Sequence, residues 1–285
     1  MGKFDIDIKE WESLGWYDLL SKMNLESINW TGMGSWDKMV KLTQIPEHPK
    51  VLVIGCGKGK SVFYLAENHG FQVIGIDIAK KTIEMAQNTV KERNLESKVD
   101  FMVADAHDLP FEDNMFDLVV TEYMAYFLDM ERAISEFRRV LRPGGLLGFN
   151  ELMLDPKIPD DKHEEVKHVG EMFKEISGYP LRIPTRDEYI NWVAKFGFEN
   201  CKYETVAERV STKDAFALIG GFKNFFKLMR LTFYLMRNSE IIKAKFEIQK
   251  EVKKVTLRKK STAKYIKPTV FVAELNKEVI KRSYI

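Results

Sequence analysis

The sequence predicts an α/β protein. Its centre is a doubly wound, mostly parallel seven-stranded sheet, with an N-terminal helical cap and a helical insertion before the last strand. Three observations carry this expectation. From Lys50 onward, short β-rich runs alternate with helical patterns, as in chained βαβ units. The runs are nearly continuous Val, Ile, Leu and Phe, which suits strands buried on both faces. A glycine-rich turn, Gly55-Cys56-Gly57-Lys58-Gly59, follows the first run directly and precedes a helix.

The strands are expected at Val51–Gly55, Gln72–Asp77, Val99–Ala104, Phe116–Thr121 and Leu146–Glu151. Helices fall between them near Lys60–His69, Lys80–Asn94 and Met130–Leu141. Asp129 has the side chain to cap the last of these, and Pro143-Gly144-Gly145 is expected to stop it and turn the chain. After Asp155 two more helices are expected, "PDDKHEEVKHVGEMFKEISG" and "TRDEYINWVAKFG". The second is capped by Thr185 and ended by Gly197. "FENCKYETVAE" and "KPTVFVAEL" complete the seven strands, with about sixty mostly helical residues between them. The expected organisation is 1–49 cap, 50–212 core, 213–265 basic helical insertion and 266–285 last strand and tail.

The 285 residues allow one large domain with a substantial insertion. With 45% apolar and 30% charged residues, an ordinary globular core is within reach. The longest apolar runs fall far short of the ~20 residues that span a bilayer. The mixed-charge start "MGKFDIDIKEWE" lacks a signal-peptide apolar core. Cys56 and Cys201 form no metal pattern, so the expectation is a cytoplasmic protein with reduced thiols and no bound metal. Four of the five tryptophans, Trp11, Trp16, Trp30 and Trp36, lie in the first fifty residues. That density fits a cap on the sheet's ligand edge, or a helical layer that only completes the core.

The glycine loop narrows the ligand. Its spacing is G-x-G-x-G, and position 60 is Lys where a dinucleotide fingerprint needs Gly. No G-K-[ST] follows at the required interval, so a P-loop is excluded. Asp77, at the end of the second strand, can accept two hydrogen bonds from a ribose diol. It can equally be a helix N-terminal acid. Asp105, just after the third strand, can accept from an adenine amino group.

The ordered set "VLVIGCGKG", "GIDIA", "ADAHDLPFEDNMFDLVV" and "AISEFRRVLRPGGLLGFNE" resembles class I S-adenosylmethionine-dependent methyltransferases. It is most similar to the small-molecule branch that includes ubiquinone/menaquinone and sterol methyltransferases. The likeness covers Lys50 to Glu151, and it implies a Rossmann-like core binding S-adenosyl-L-methionine and releasing S-adenosyl-L-homocysteine. By that resemblance Gly55, Gly57 and Gly59 lie under the methionyl part and the sugar, with Cys56 a small buried filler in the loop. Asp77 binds the ribose hydroxyls and Ile78 lies against adenine. Asp105 takes the adenine amino group beside the Ala106 backbone, and Glu122 and Tyr123 border the methionyl end. Relatives often carry paired histidines where this chain has Tyr126 and Phe127.

Methyl transfer from a sulfonium is an in-line displacement. The protein chiefly aligns the acceptor and excludes water, and a base is needed only if the acceptor must lose a proton. Glu122, Tyr123, Tyr126 and Glu151 are the candidates at the strand ends; the tyrosines can simply wall the pocket, and Glu151 can cap the next segment. The expected reaction is methylation of a small-molecule or lipid-like acceptor. A non-catalytic sensor or scaffold that keeps the pocket is the alternative. His163 and His168 are five apart, roughly 140° around a helix, and so do not form a zinc pair.

The insertion is strongly basic. From Phe222 to Lys267, 14 Lys/Arg face 3 Glu, a net +11 in a chain of net +2. Lys223, Lys227, Arg230 and Arg237 share one helical face, with Phe222, Phe225, Phe226, Met229, Phe233 and Met236 covering much of the rest. Three readings follow for 222–264: a helix packed with its charges wet, a lid or homodimer contact, or a peripheral contact with an anionic membrane surface. Nucleic acid is not expected, since no RNA-binding module is appended.

Overall fold

The computed structural model describes residues 4, 6–23, 32–43, 45–179, 181–206 and 221–277, with no side-chain description for 221 and 222. The described chain divides into two compact units.

The first unit, 31–156, 184–208 and 267–285, holds the sheet. Its strands are β1 (Lys50–Ile54), β2 (Gln72–Asp77), β3 (Val99–Val103), β4 (Phe116–Glu122), β5 (Leu141–Leu154), β6 (Phe198–Thr205) and β7 (Ile266–Leu275). They lie in the order β3-β2-β1-β4-β5-β7-β6. The pairs among β1 to β5 are parallel, and β6 runs antiparallel to β7. Strand order reverses between β1 and β4, so the crevice past their carboxyl ends is the natural ligand position.

Each face of the sheet has its own core. Along β1, Val51 and Val53 pack with α3 (Gly34–Thr43), α4 (Lys60–His69) and α5 (Lys80–Glu92). Leu52 and Ile54 pack with α6 (Met130–Val140) and α8 (Arg186–Lys195). That alternation is the period-2 geometry of a doubly covered strand. The expected caps hold: Asp129 accepts from the Arg132 amide, and Thr185 and Glu188 form a reciprocal capping box.

One expected turn is corrected. Pro143-Gly144-Gly145 does not precede β5 but lies within it. Leu141 already pairs with Phe116, and the register shifts before Leu118 meets Leu146. The extra residues form a bulge, and a Cβ on Gly145 would stand 2.7 Å from the Arg142 carbonyl oxygen.

The second unit, 1–30, 157–183 and 209–266, is helical. It contains α1 (Ile8–Glu12), α2 (Trp16–Lys22), α7 (Asp160–Ser177), α9 (Gly221–Asn238), α10 (Glu240–Lys253), a π turn (Lys254–Arg258) and α11 (Lys260–Ala263). Trp16 stacks edge-on against Phe246, and Tyr17 against Phe173. The Ser239 hydroxyl donates to Glu12, and the Lys245 ammonium donates to the Glu12 and Leu14 carbonyls. The compact units therefore differ from the expected linear partition at 49/50 and 212/213. Helix α3 belongs with the sheet, and α7 belongs with the N-terminal helices and the insertion, because side-chain packing groups segments distant in sequence. Trp30, residues 213–220 and the tail 278–285 lie outside the described residues.

Candidate active site at the switch point

The glycine loop is built by backbone conformation. Gly55, Gly57 and Gly59 all take positive φ, and the Gly55 and Cys56 amides both donate to the Ile76 carbonyl at 2.8 and 2.9 Å. The three glycines are not equivalent. A Cβ on Gly55 would overlap the Met124 side chain at 1.9 Å, and one on Gly59 would strike the Phe101 ring at 2.2 Å. At Gly57 nothing lies within 4 Å, so the middle of the loop faces open space that a ligand can approach. Gly57→Ala is therefore expected to weaken ligand binding with only the modest stability loss of a strained φ. Gly55→Ala and Gly59→Ala should unfold at clearly lower temperature. Calorimetric titration and thermal melts on the three variants check this ordering.

Asp77 joins the loop to the end of β2. Its Oδ2 accepts from the Gly57 amide at 3.0 Å and its Oδ1 from the Ala79 amide at 2.9 Å. A carboxylate has about four acceptor positions, so two remain for a diol. Ile78 beside it is 72% exposed, an apolar surface open to a flat ring. Cys56 is buried, and burial first, then the Asp77 charge, drives its thiol pKa far up.

Asp105 is exposed at the end of β3. Its Oδ1 accepts from the His107 amide at 2.9 Å and sits 2.7 Å from His107 Nδ1. The His107 amide bond is the largest influence holding this carboxyl below its usual pKa, against a smaller desolvation penalty. His107 Nε2 accepts from the Asp129 amide at 3.0 Å, which assigns the ring proton to Nδ1. His107 thus orients Asp105 and ties it to the start of α6. Its only signal in the sequence is its place two residues after Asp105. Ala106 is buried.

Glu122 lies next to the glycine loop because Ile54 pairs with Thr121. Trp36 on α3 donates its indole N–H to Glu122 Oε1 at 3.1 Å. The two residues beside Trp36 fasten α3 as well. The Ser35 hydroxyl accepts from the Asn150 amide group, and Asp37 Oδ1 accepts from Tyr64 at 2.9 Å and lies 3.0 Å from His69 Nε2. The tryptophan density in the sequence was a signal for this, but its target, 86 residues away, was not readable. Tyr123 has φ 53°, a strained conformation for a bulky residue, held by its amide bond to the Asn150 carbonyl.

Two candidate bases lie inside the fold. Tyr126 is buried, and its hydroxyl accepts from the Leu152 amide at 2.6 Å. Glu151 is 0% exposed, and its Oε1 accepts from Thr121, the Met124 amide and the Ala125 amide at 2.9, 3.0 and 3.1 Å. Both brace the turn after β4 from inside and are not open to an acceptor. Glu122 and Tyr123 remain as half-buried groups at the crevice.

Burial pushes the Glu151 carboxyl up to about 7, with the Ala125 and Met124 amides and Thr121 pulling against it. The native state therefore binds this proton more tightly than the unfolded chain, whose glutamate sits near 4.5. Its contribution to stability is full at low pH and is lost as pH rises from about 4.5 through about 7. Glu151→Gln should flatten that part of the stability profile, which denaturant unfolding at a series of pH values measures.

Among the described residues, no group of three or more His, Cys, Asp or Glu is placed to hold a metal ion.

The switch-point crevice, with its glycine loop and the acids at the ends of β2 and β3, sits on a Rossmann-like methyltransferase fold. Residues 52–149 match the family model described as a methyltransferase domain. Over 112 residues the chain is 37% identical to methyltransferase GfsG of Streptomyces halstedii, covering 39% of this chain and 40% of that protein. It is 30% identical over 175 residues to norajmaline N-methyltransferase of Rauvolfia serpentina, covering 58% and 59%. The chain thus spans about half the length of the curated relatives it matches. Among solved structures, the [4+2]-cyclase SpnF superposes with a TM-score of 0.62 at 20% identity, over 96% of this chain and 86% of that one. At that identity the likeness shows the fold alone.

Proposed function

We propose that this protein is an enzyme that transfers a methyl group from S-adenosyl-L-methionine to a small-molecule or lipid-like acceptor, leaving S-adenosyl-L-homocysteine. The observation that carries the reading is Asp77, whose carboxylate holds the Gly57 and Ala79 amides at the switch point with acceptor positions to spare. When bound, the cofactor supplies an electrophilic methyl on a sulfonium.

Gly57 leaves room for the methionyl part and sugar, Asp77 takes the ribose hydroxyls, and Ile78 lies against the base. Asp105, oriented by His107, takes the adenine amino group beside the Ala106 backbone. Glu122, held by Trp36, offers its negative charge to the cationic methionyl end, and Tyr123 borders it. Tyr126 and Glu151 fix the turn that carries Tyr123 and Met124. Catalysis on this reading is alignment and exclusion of water, and Glu122 and Tyr123 are the groups able to handle an acceptor proton. A surface contact through 222–264, with a membrane or a second copy of the chain, belongs to the same reading, in a cytoplasmic setting. Its support is the exposed face of α9.

A labelled-methyl assay of the purified chain against a metabolite and lipid extract tests the proposal. Transfer of label to a small product, with S-adenosylhomocysteine binding in the micromolar range, is expected. Cofactor binding without any labelled product points to the sensor alternative. Absence of both overturns the assignment.

A further inference from the structure

Helix α9 carries an exposed face that combines large apolar side chains with cations. Phe226, Met229 and Phe233 are 58%, 53% and 58% exposed. They fall at i, i+3 and i+7, which at about 100° per residue places them within roughly 60° of arc. Lys223, Lys227, Arg230 and Arg237 are also exposed and occupy the adjoining roughly 80°. Leu235, on the opposite side, is fully buried. No Asp or Glu occurs anywhere in the eighteen residues of α9.

Scattered exposed apolar residues need no explanation, but three together on one helix do. Charge decides among the occupants. A second copy meeting this face in a symmetric dimer would set four cations against the same four cations, an arrangement that opposes association. An anionic surface reverses that sign. A phospholipid surface also suits the arrangement of the two halves. Apolar side chains enter the boundary between headgroups and acyl chains, while Lys and Arg stems lie along it with their charged ends among the phosphates. The helix is not a span: among the described residues, no helix is long and apolar enough to cross a membrane.

We propose that the Phe226/Met229/Phe233 and Lys223/Lys227/Arg230/Arg237 face of α9 docks the protein on an anionic phospholipid surface, lying in the plane of the interface. This inference rests on the proposed surface contact through 222–264 and not on the methyl-transfer chemistry. It fits a lipid-like acceptor, because a docked enzyme meets such a molecule where it is concentrated.

The test is co-sedimentation of the full chain with sucrose-loaded vesicles of phosphatidylcholine alone, or of phosphatidylcholine with about 30 mol % phosphatidylglycerol, a composition chosen to supply the negative surface potential. Partition at least about tenfold stronger into the anionic vesicles, falling with salt, is expected. Phe226→Ser with Phe233→Ser should lower it about tenfold. Lys227→Glu with Arg230→Glu should lower it by more, since each neutralised cation alone accounts for roughly fivefold. All four positions are exposed, so thermal melts of the variants should match the parent.

Equal uptake by both vesicle types, or none, overturns the inference. A dimer in sedimentation velocity, or oligonucleotide binding, that the same substitutions abolish while vesicle uptake is unchanged also overturns it. S-adenosylhomocysteine titration on the same preparations separates the two proposals. Cofactor binding without vesicle uptake sinks only the docking face, and vesicle uptake without cofactor binding sinks only the methyltransferase reading.

Discussion

Asp77→Ala is expected to weaken S-adenosylhomocysteine binding by roughly 100-fold or more. On the proposed reading Asp77 makes two charge-assisted bonds to the ribose hydroxyls, each worth about 1.5–3 kcal/mol. The same carboxylate also orders the ligand's bed, because Oδ2 holds the Gly57 amide and Oδ1 the Ala79 amide. Removing it loosens the loop as well as deleting the proposed ribose contact. Asp77→Asn keeps one acceptor, and its amide group would meet a backbone N–H donor-to-donor, so it should fall between the parent and the alanine variant. Isothermal titration with S-adenosylhomocysteine measures both. An alanine variant that binds within about threefold of the parent would remove Asp77 from the ribose site, whatever the fold.

Arg139→Met should give the largest loss of stability among single polar substitutions in the sheet unit. Its guanidinium commits all five N–H donors: to both oxygens of Glu136 at 2.9 and 2.7 Å, to the Phe111 and Leu109 carbonyls at 2.7 and 2.8 Å, and to Asp113 at 3.0 Å. Glu136 in turn accepts from the Leu109 amide at 2.8 Å. This one side chain stitches the segment after β3 to α6. Deleting it strands partly buried carbonyls and a carboxylate, at a cost of about 3 kcal/mol. For a domain of this size that is a fall in Tm of roughly 5–10 °C. Arg139→Lys should rescue little, because an ammonium cannot reproduce the planar fork. Since the stitched segment begins next to Asp105, Arg139→Met should also lower cofactor affinity. Asp105→Asn should lower affinity while leaving Tm nearly unchanged. Differential scanning calorimetry paired with titration distinguishes the two.

Much of the candidate site was legible because it is local. A strand followed by closely spaced glycines and a helix prescribes a tight loop, and the acids at the ends of the next two strands fall at its rim. Tyr126 and Glu151 show where that reasoning stops. Sequence position puts both at the crevice end of the sheet, but burial is decided by what packs over them, and both turn inward to brace backbone amides. Pro143-Gly144-Gly145 read as a turn because those residues usually break structure. It lies in a bulge because Leu141, ahead of it, already pairs with Phe116.

By itself the sequence determined the strand and helix alternation, the parallel core, the glycine bed and the acids at the ends of β2 and β3. These depend on periodicity and turn chemistry within a few residues, and such preferences act wherever the chain goes. Only the tertiary structure decided that Trp36 holds Glu122, that His107 orients Asp105, that Arg139 binds the loop to α6, and that α7 joins the N-terminal helices. Trp36 and Glu122, and Arg139 and the Leu109 and Phe111 carbonyls, meet across 28 to 86 residues. His107 reaches Asp105 locally but takes its tautomer from the Asp129 amide, 22 residues on. Which partner a side chain meets at that range is set by the packing of whole elements, since many residues offer the same hydrogen-bonding chemistry and burial selects one of them.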